Sequence, residues 1–493
     1  MQSKFLFTFT LLLGVLFFSA FQERVDPEFD LVIKGGRVMD PESRLDAVRS
    51  IGIRNGSIAI ISEEELNGRE VLDASGLVVA PGFIDLHAHG QDPLSNRFQA
   101  ADGVTTALDL EAGVYPVAKW YASRQGQALI NFGAVVGHGA ARIKLMQDVE
   151  IGHSPTMSDG VRRQIEDDDR YREATEEEIE ELVKLMRKGL EEGGLGFGFG
   201  IAYVPGATPQ EILRLFQLAA ENQVPAYVHL RASGRDGAAA TVAAFQEVIA
   251  NAAIAGTSVH VVHLNSTAAN LAQLCLEMIR GAQSRGLDVT TEAYPYTASS
   301  TRLESALFDN WRGDYHDIQW TETGERLDRE TFEKYRRQGG WVIVHGRSEE
   351  INQWIVSQTD VIAASDGIPF IAGRAHPRGA GTFSRILGYY SRERKALSLM
   401  DALRKMTLLP ARRVEGAAPQ MAKKGRVQVG ADADLTLFDP DEILDRATYE
   451  KPDQYSAGIV HVLVGGTFVV RDSTLVEGAA PGKPIRGRLM SGN

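Results

Sequence analysis

Two histidines one residue apart close the stretch PGFIDLHAHG, Pro81 to Gly90, after a turn-forming Pro-Gly and an apolar run. Successive side chains of a strand alternate faces, so His87 and His89 point to the same side and can grip one ion. A lone His-x-His pair occurs by chance. It becomes informative because other ligand-type residues close other apolar runs: Glu111 in VTTALDLE, His229 in PAYVHL, His263 in VHVVHL and Asp366 in DVIAASD. Four imidazoles and two carboxylates brought together suit zinc or another divalent transition metal. Such an ion lowers the pKa of a bound water and makes it a nucleophile near neutral pH.

These residues sit where a (β/α)8 barrel places its active site, at the carboxyl ends of strands. Between 81 and 419, strand-like runs alternate with helix-like runs; the strand candidates include GFIDLHAH, INFGAVVGH, GLGFGFG, LDVTTEAYP and WVIVHG. The clearest helix is TEEEIEELVKLMRKGLEEGG, 175–194. Thr175 and Glu178 form a capping box, Ile179, Leu182, Val183, Met186 and Leu190 one apolar stripe, and Gly193 a stop. The predicted fold is an α/β (β/α)8 barrel; a doubly wound open sheet is the weaker alternative, without a Gly-rich phosphate loop to support it. Residues 28–80 and 420–485 instead read as short strands and turns, including the Asn-Gly hairpin of RNGS, and predict a small β-sandwich built from both termini. Two segments, near 145–174 and 301–340, exceed ordinary connections and read as excursions over one barrel face, either lids or long solvated loops.

The 493-residue chain is 44% hydrophobic with a formal charge of −13, which argues against nucleic-acid binding. Its single cysteine, Cys275, lies in an apolar helix-like run and reads as a buried structural thiol. Residues 1–20, MQSKFLFTFTLLLGVLFFSA, have the form of a signal peptide, with an uncleaved membrane anchor as the alternative, and predict export. Among the remaining histidines, His260 is expected to face away from His263 and pack against a helix. His138 and His345 are candidates for outer contacts or substrate groups, while His153, His316 and His461 read as surface or loop residues.

PGFIDLHAHG, GVTT, GHGAAR, YVPG, VHLRASG, YPYTASS, ASDG and HPRGAGTFSRILG, in this order, resemble the N-acyl-D-amino-acid deacylases of the amidohydrolase superfamily. The resemblance runs from about 30 to 475 and implies a metal-dependent barrel with a small β-sandwich, hydrolysing a linear amide C–N bond of a small-molecule substrate. It departs at one place. D-aminoacylases carry a metal-binding cysteine after GVTT, whereas here Ala112 stands in that position and Glu111 precedes it, in an LEAG form that looks like the D-glutamate deacylase branch. Glu111 is therefore the expected substitute ligand, with Asp109, on the same face by parity, as fallback. The carboxylated lysine of dihydroorotase-like relatives has no counterpart, since GLGFGFG lacks lysine and Lys184 and Lys188 lie on the capped helix.

The expected mechanism uses one or two divalent ions, zinc by donor type, held by His87, His89, Glu111, His229 and His263, with Asp366 as general base and then acid. By the same resemblance Arg378 receives the substrate's α-carboxylate, and Tyr203, Tyr294 and Ser300 lie at or near substrate contacts. A D-glutamyl side chain would need a second cation, for which Arg231 or Arg374 are the candidates. The competing readings are another amidohydrolase acting on a D-dipeptide, cyclic imide or lactone, and, more remotely, a non-catalytic scaffold or binding protein, with a homo-oligomer left open.

Overall fold

The computed structural model describes residues 28–490 except 157, 158, 163 and 166, so the apolar segment 1–20 lies outside the described residues. Eight parallel strands follow one another in chain order: Phe83–Asp85, Val104–Tyr115, Asn131–Gly137, Phe197–Gly200, Ala226–His229, Val259–Val261, Val289–Ala293 and Ile362–Ala363. Nearly all of their residues are buried, as expected of parallel strands covered on both faces. The capped helix runs Glu176–Glu191 and buries the predicted stripe, with the Thr175–Glu178 capping box formed. Cys275 is buried in the helix Ala272–Gln283, and burial pushes its thiol up to about 11, an inert structural role.

The barrel closes between its first and last strands through side chains as well as backbone. Ala88 bridges Gly367 in parallel, and the buried Asp85 carboxylate accepts from Ser365 N–H at 3.0 Å, Ser365 Oγ at 2.5 Å and His87 N–H at 3.1 Å. One carboxylate thus ties the strand carrying His87 to the turn carrying Asp366.

A second sheet, mainly antiparallel, draws strands from both ends of the chain. Phe29–Asp40, Leu45–Arg54, Ser57–Ser62, Gly68–Asp73 and Val78–Pro81 meet Leu435–Phe438, Ile459–Val464, Thr467–Arg471 and Thr474–Leu475. The two ends join where Val78–Pro81 pairs antiparallel with Leu435–Phe438. Asn55 and Gly56 both have positive φ, +51° and +76°, which is the two-residue hairpin turn that RNGS predicts. The residues after this sheet return to the barrel, where Ile485 N–H donates to Phe132 C=O at 2.7 Å.

WVIVHG is not a barrel strand. Trp341–Val344 is the centre of a three-stranded antiparallel sheet with Ser299–Arg302 and Ile318–Trp320. A short apolar run says only that a strand is buried, not in which sheet. With the helix Arg329–Gln338, this segment has its own core of Leu303, Phe308, Trp320, Phe332 and Val342, so the excursion near 301–340 is a packed module rather than a solvated loop. The excursion near 145–174 is anchored by a strand, Gly152–His153, that pairs antiparallel with Val114 and Tyr115 at the end of the second barrel strand.

The closure at Asp85 yields a stability test. Asp85→Ala leaves two buried N–H groups without acceptors, so it should cost more than Ser365→Ala, which we expect to lose about 1–3 kcal/mol. Urea denaturation of both variants checks this; losses below about 0.5 kcal/mol, the range of ordinary surface changes, would show that the seam does not depend on this carboxylate.

Candidate metal centre

The first barrel strand alternates as its sequence requires. Ile84 and Leu86 join an apolar cluster, while Asp85 and His87 take the polar side. The second strand is regular only as far as Asp109. Its partners shift from Asp109↔Ala134 to Val114↔Val136, so the residues between them bulge. Gly113 has φ +62°, and a Cβ there would stand 2.7 Å from Gly137 N, so this bulge requires glycine. Asp109 Oδ1 accepts the Gly113 N–H at 3.0 Å and pins the loop that presents Glu111. His263 and Asp366, just past their strands, have φ +33° and +51°, a conformation that non-glycine residues adopt at a cost and that gathers at functional sites.

These segments bring His87, His89, Glu111, His229, His263 and Asp366 into one buried group. His87 Nδ1 meets Glu292 Oε1 at 2.5 Å and His89 Nδ1 meets Asp109 Oδ2 at 2.9 Å. Carboxylates accept there, which leaves each Nε2 free, and the two Nε2 atoms lie 3.1 Å apart. Glu111 Oε2 is 3.6 Å from His87 Nε2 and 3.3 Å from His89 Nε2, while Oε1 is 3.0 Å from His229 Nδ1. His263 Nε2 lies 3.1 Å from His229 Nδ1, its own Nδ1 being bonded to Thr267 Oγ1 at 3.0 Å. Asp366 Oδ1 stands 3.5 Å from both His87 Nε2 and His89 Nε2, and its Oδ2 pairs with Arg378 Nη1 at 2.9 Å.

The donor set fits divalent cations. The Nε2 atoms of His87 and His89, whose opposite nitrogens are hydrogen-bonded to carboxylates, converge on one another, as do His229 Nδ1 and His263 Nε2, an arrangement that repels unless a proton or cation lies between them. Among the described residues, three groups of ligand atoms lie within one ion's reach: His87–His89–Glu111, Glu111–His229–His263 and, behind the first, His89–Asp109–His153; Glu111 belongs to the first two. The protonation equilibria show the same tension. Burial disfavours charge on His87, but Asp366 and Glu292 outweigh it and raise its proton affinity well above the ordinary histidine value. Burial would raise Glu111, yet hydrogen bonds from His229, His87 and His89 hold it well below the usual carboxylate range. Burial and the His229 charge push His263 down to about 3. Burial opposes the ionised form of Asp366 too, but Arg378 prevails and brings it down to about 2. Metal ligands bind deprotonated, so an ion here would displace these shared protons.

Two histidines lie closer to this centre than their sequence context suggests. His153 is no surface residue: it is buried, and its Nε2 meets Asp109 Oδ2 at 2.6 Å. His260 does not pack against a helix but meets Glu292 Oε2 at 3.1 Å, because the strand ends at Val261 and simple alternation does not reach His263. Each imidazole of the His-x-His pair is therefore backed by a carboxylate, and each carboxylate by another imidazole. Asp109 is thus placed behind His89, and Glu292, the lone acid of the buried seventh strand Val289–Ala293, was the sequence clue to the other relay. His461 is buried in the small sheet, while His316 is exposed. His138 and His345 stand apart from the cluster: His138 Nε2 bonds Glu211 at 2.6 Å and His345 Nε2 bonds Gln319 at 2.9 Å.

Around the centre, Tyr203 sets its ring edge-on to His229 at 4.8 Å and its hydroxyl 3.1 Å from Thr301 Oγ1. Arg378 lies 4.6 Å from the Tyr294 ring centroid and donates to Ser300 C=O at 3.3 Å, while Ser300 Oγ is committed to Val342 C=O at 2.8 Å. Of the two candidates for a second cation, Arg231 is neutralised by a carboxylate and Arg374, among the described residues, is not. Arg231 forms a two-point ion pair with Glu247, at 3.0 and 2.8 Å, and Arg374 turns to Glu450 C=O at 3.2 Å.

A barrel with this ligand group defines a class, and comparison with known proteins agrees. The amidohydrolase family model matches residues 70–470, and the chain belongs to that family. It is 30% identical to an N-acyl-D-glutamate deacylase of Alcaligenes xylosoxydans xylosoxydans, over 90% of this chain and 94% of that relative. It is 29% identical to a D-aminoacylase of the same organism, again over 90% of this chain and 94% of the relative. Among solved structures, the N-acyl-D-glutamate deacylase of Bordetella bronchiseptica, complexed with zinc and a phosphonate mimic of the tetrahedral intermediate, superimposes with a TM-score of 0.78 at 29% identity. That match covers 93% of this chain and 99% of the other.

The backing relay can be tested by metal affinity. Asp109→Ala removes the acceptor that orients both His89 and His153, so we expect the ion at the His-x-His half to bind about 10–100-fold more weakly. Chelator competition on the purified protein measures this; unchanged affinity at both ions would show that Asp109 does not orient His89.

Proposed function

We propose that this protein is a metal-dependent hydrolase that removes the acyl group from N-acyl-D-amino acids, in the manner of an N-acyl-D-glutamate deacylase. One observation carries the reading: Glu111 offers one oxygen to each of two imidazole pairs, with the Asp366–Arg378 ion pair beside them. Family membership and the deacylase relatives support it. In this reading His87, His89 and Glu111 would hold one divalent ion, and Glu111, His229 and His263 could hold a second, zinc being our choice by analogy with the Bordetella bronchiseptica relative. Such an ion supplies Lewis acidity, making water acidic and polarising the amide carbonyl.

The chain's own groups do the rest. Asp366, kept ionised by Arg378, accepts the proton of the attacking water and delivers it to the departing nitrogen as the C–N bond breaks. The products are a carboxylate and a free D-amino acid. Arg378 holds Asp366 Oδ2, which leaves Oδ1 facing the imidazoles, and is our assignment for the substrate's α-carboxylate. Tyr203 and Tyr294 wall the space beside the ligands. A cyclic-imide or lactone hydrolase is less well supported, because Glu111 stands between the two imidazole pairs and Lys184 lies on the exposed face of its helix, paired with Glu181. Residues 1–20 support export, where D-amino-acid-containing peptide debris would be the substrate source.

Two measurements test the function. The wild-type protein should release D-glutamate from N-acetyl-D-glutamate, fall inactive on treatment with a chelator and recover with added zinc; equal rates on the L-enantiomer would remove the deacylase claim. Asp366→Asn should retain its metal yet lose about 10²–10⁴ in kcat, the usual worth of a positioned acid–base group. Turnover at the wild-type rate would dismiss Asp366 from that role.

A further inference from the structure

On the deacylase reading, the GHGAAR stretch still lacks a task, since His138 stands apart from the ligand group. His138 opens the helix His138–Gln147 directly after the third barrel strand, and Arg142, one turn on, lies on the same face. Both are buried, and both hold Glu211 in the first turn of the helix Pro209–Glu221. His138 Nε2 meets Glu211 Oε1 at 2.6 Å, and Arg142 Nε donates to the same oxygen at 3.2 Å. Burial would raise Glu211, but the bond with His138 and the Arg142 charge hold it below the usual carboxylate range.

The other two nitrogens of Arg142 reach beyond this pair. Nη1 donates to Asp169 C=O at 2.8 Å, and Nη2 donates to Arg172 C=O and, at 3.4 Å, to Gly206 C=O. Three carbonyls from two segments distant in sequence thus share one planar fork, a geometry that the single nitrogen of a lysine does not offer. Asp169 and Arg172 belong to the excursion near 145–174, while Gly206 closes YVPG, the turn after the fourth barrel strand Phe197–Gly200. The two segments also touch directly. Gly206 N–H donates to Arg170 C=O at 2.8 Å, and a Cβ on Gly206 would stand 2.4 Å from the Arg172 carbonyl oxygen.

Tyr203 lies in this turn, three residues before Gly206. Val204 N–H donates to Ile201 C=O at 3.1 Å and Ala207 N–H to Val204 C=O at 2.9 Å, so the turn is coiled and a shift at Gly206 reaches Tyr203. The Tyr203 ring stands edge-on to His229 at 4.8 Å, and its hydroxyl lies 3.1 Å from Thr301 Oγ1. We propose that Arg142 is a positioning residue for the reaction: by joining Asp169 and Arg172 to Gly206, it fixes the turn that holds Tyr203 against His229. The hydrogen bonds of Arg142 reach none of the metal-type ligands, so its effect on turnover passes through the Tyr203 ring.

A double-mutant cycle on the metal-loaded enzyme with N-acetyl-D-glutamate tests this. Arg142→Gln should lower kcat/KM by about 10- to 100-fold, the usual effect of displacing a site group by about 1 Å, with metal content unchanged. Arg142→Lys should recover part of the loss. With Tyr203→Ala already in place, Arg142→Gln should cost less than about 2-fold, because groups that act through one another do not add. The same full loss in both backgrounds would make Arg142 merely structural and overturn the inference, as would wild-type turnover in Arg142→Gln. Where Arg142→Gln does not fold, Gly206→Ala replaces it in the cycle with the same expected outcomes, since it forces the same two segments apart without touching the buried charges. Amide hydrogen exchange adds a readout that needs neither substrate nor metal: Arg142→Gln should speed exchange at 201–207 and leave the strand Phe197–Gly200 at wild-type rates. A wild type that releases no D-glutamate removes the deacylase reading, and exchange alone then decides the role of Arg142. Unchanged exchange at 201–207 overturns it.

Discussion

Everything at this centre depends on one carboxylate that faces two ways. Glu111 sends Oε2 toward His87 and His89 and Oε1 toward His229, next to His263. Four imidazoles gathered in a buried space would otherwise repel as charges or leave nitrogens facing one another. The shared anion lets them converge, and it does so from a bulge that exists because Gly113 can adopt φ +62° against Gly137. An alanine there would collide with backbone, and Glu111 would lose its position.

The imidazoles in turn are held from behind. His153–Asp109–His89 and His260–Glu292–His87 are buried relays of the same kind, in which an ionised acid fixes which ring nitrogen carries the proton and so which one is free. The two relays draw on different parts of the fold. His260 and Glu292 come from neighbouring barrel strands, whereas His153 arrives on an excursion anchored to Val114 and Tyr115. Asp85 adds a third constraint by fastening the strand of His87 to the turn of Asp366.

Opposite these rigid elements stands a more varied rim. The module built on Ser299–Arg302, Ile318–Trp320 and Trp341–Val344 has its own apolar core, with Arg347 just past its central strand. The ligand-type side chains come from the ends of the barrel strands, while this module packs around a separate core. The same division would let related chains exchange substrates without disturbing the ligands.

Much of this could be read from the chain alone, for a physical reason. Side-chain alternation, capping and turn chemistry act over a few residues, so the strand leading to His87, the strand ending at His229, the Thr175 cap and the Asn55–Gly56 hairpin follow from local sequence. The sequence likewise determined which residue types could bind a metal, because donor chemistry is a property of the side chain. Its limits appeared where long-range pairing intervenes. Local pattern could not tell that Trp341–Val344 leaves the barrel, that His153 and His260 are drawn behind Asp109 and Glu292, or that Arg231 is neutralised by Glu247. Those outcomes depend on which distant residue occupies the facing position, and only the tertiary structure decides that.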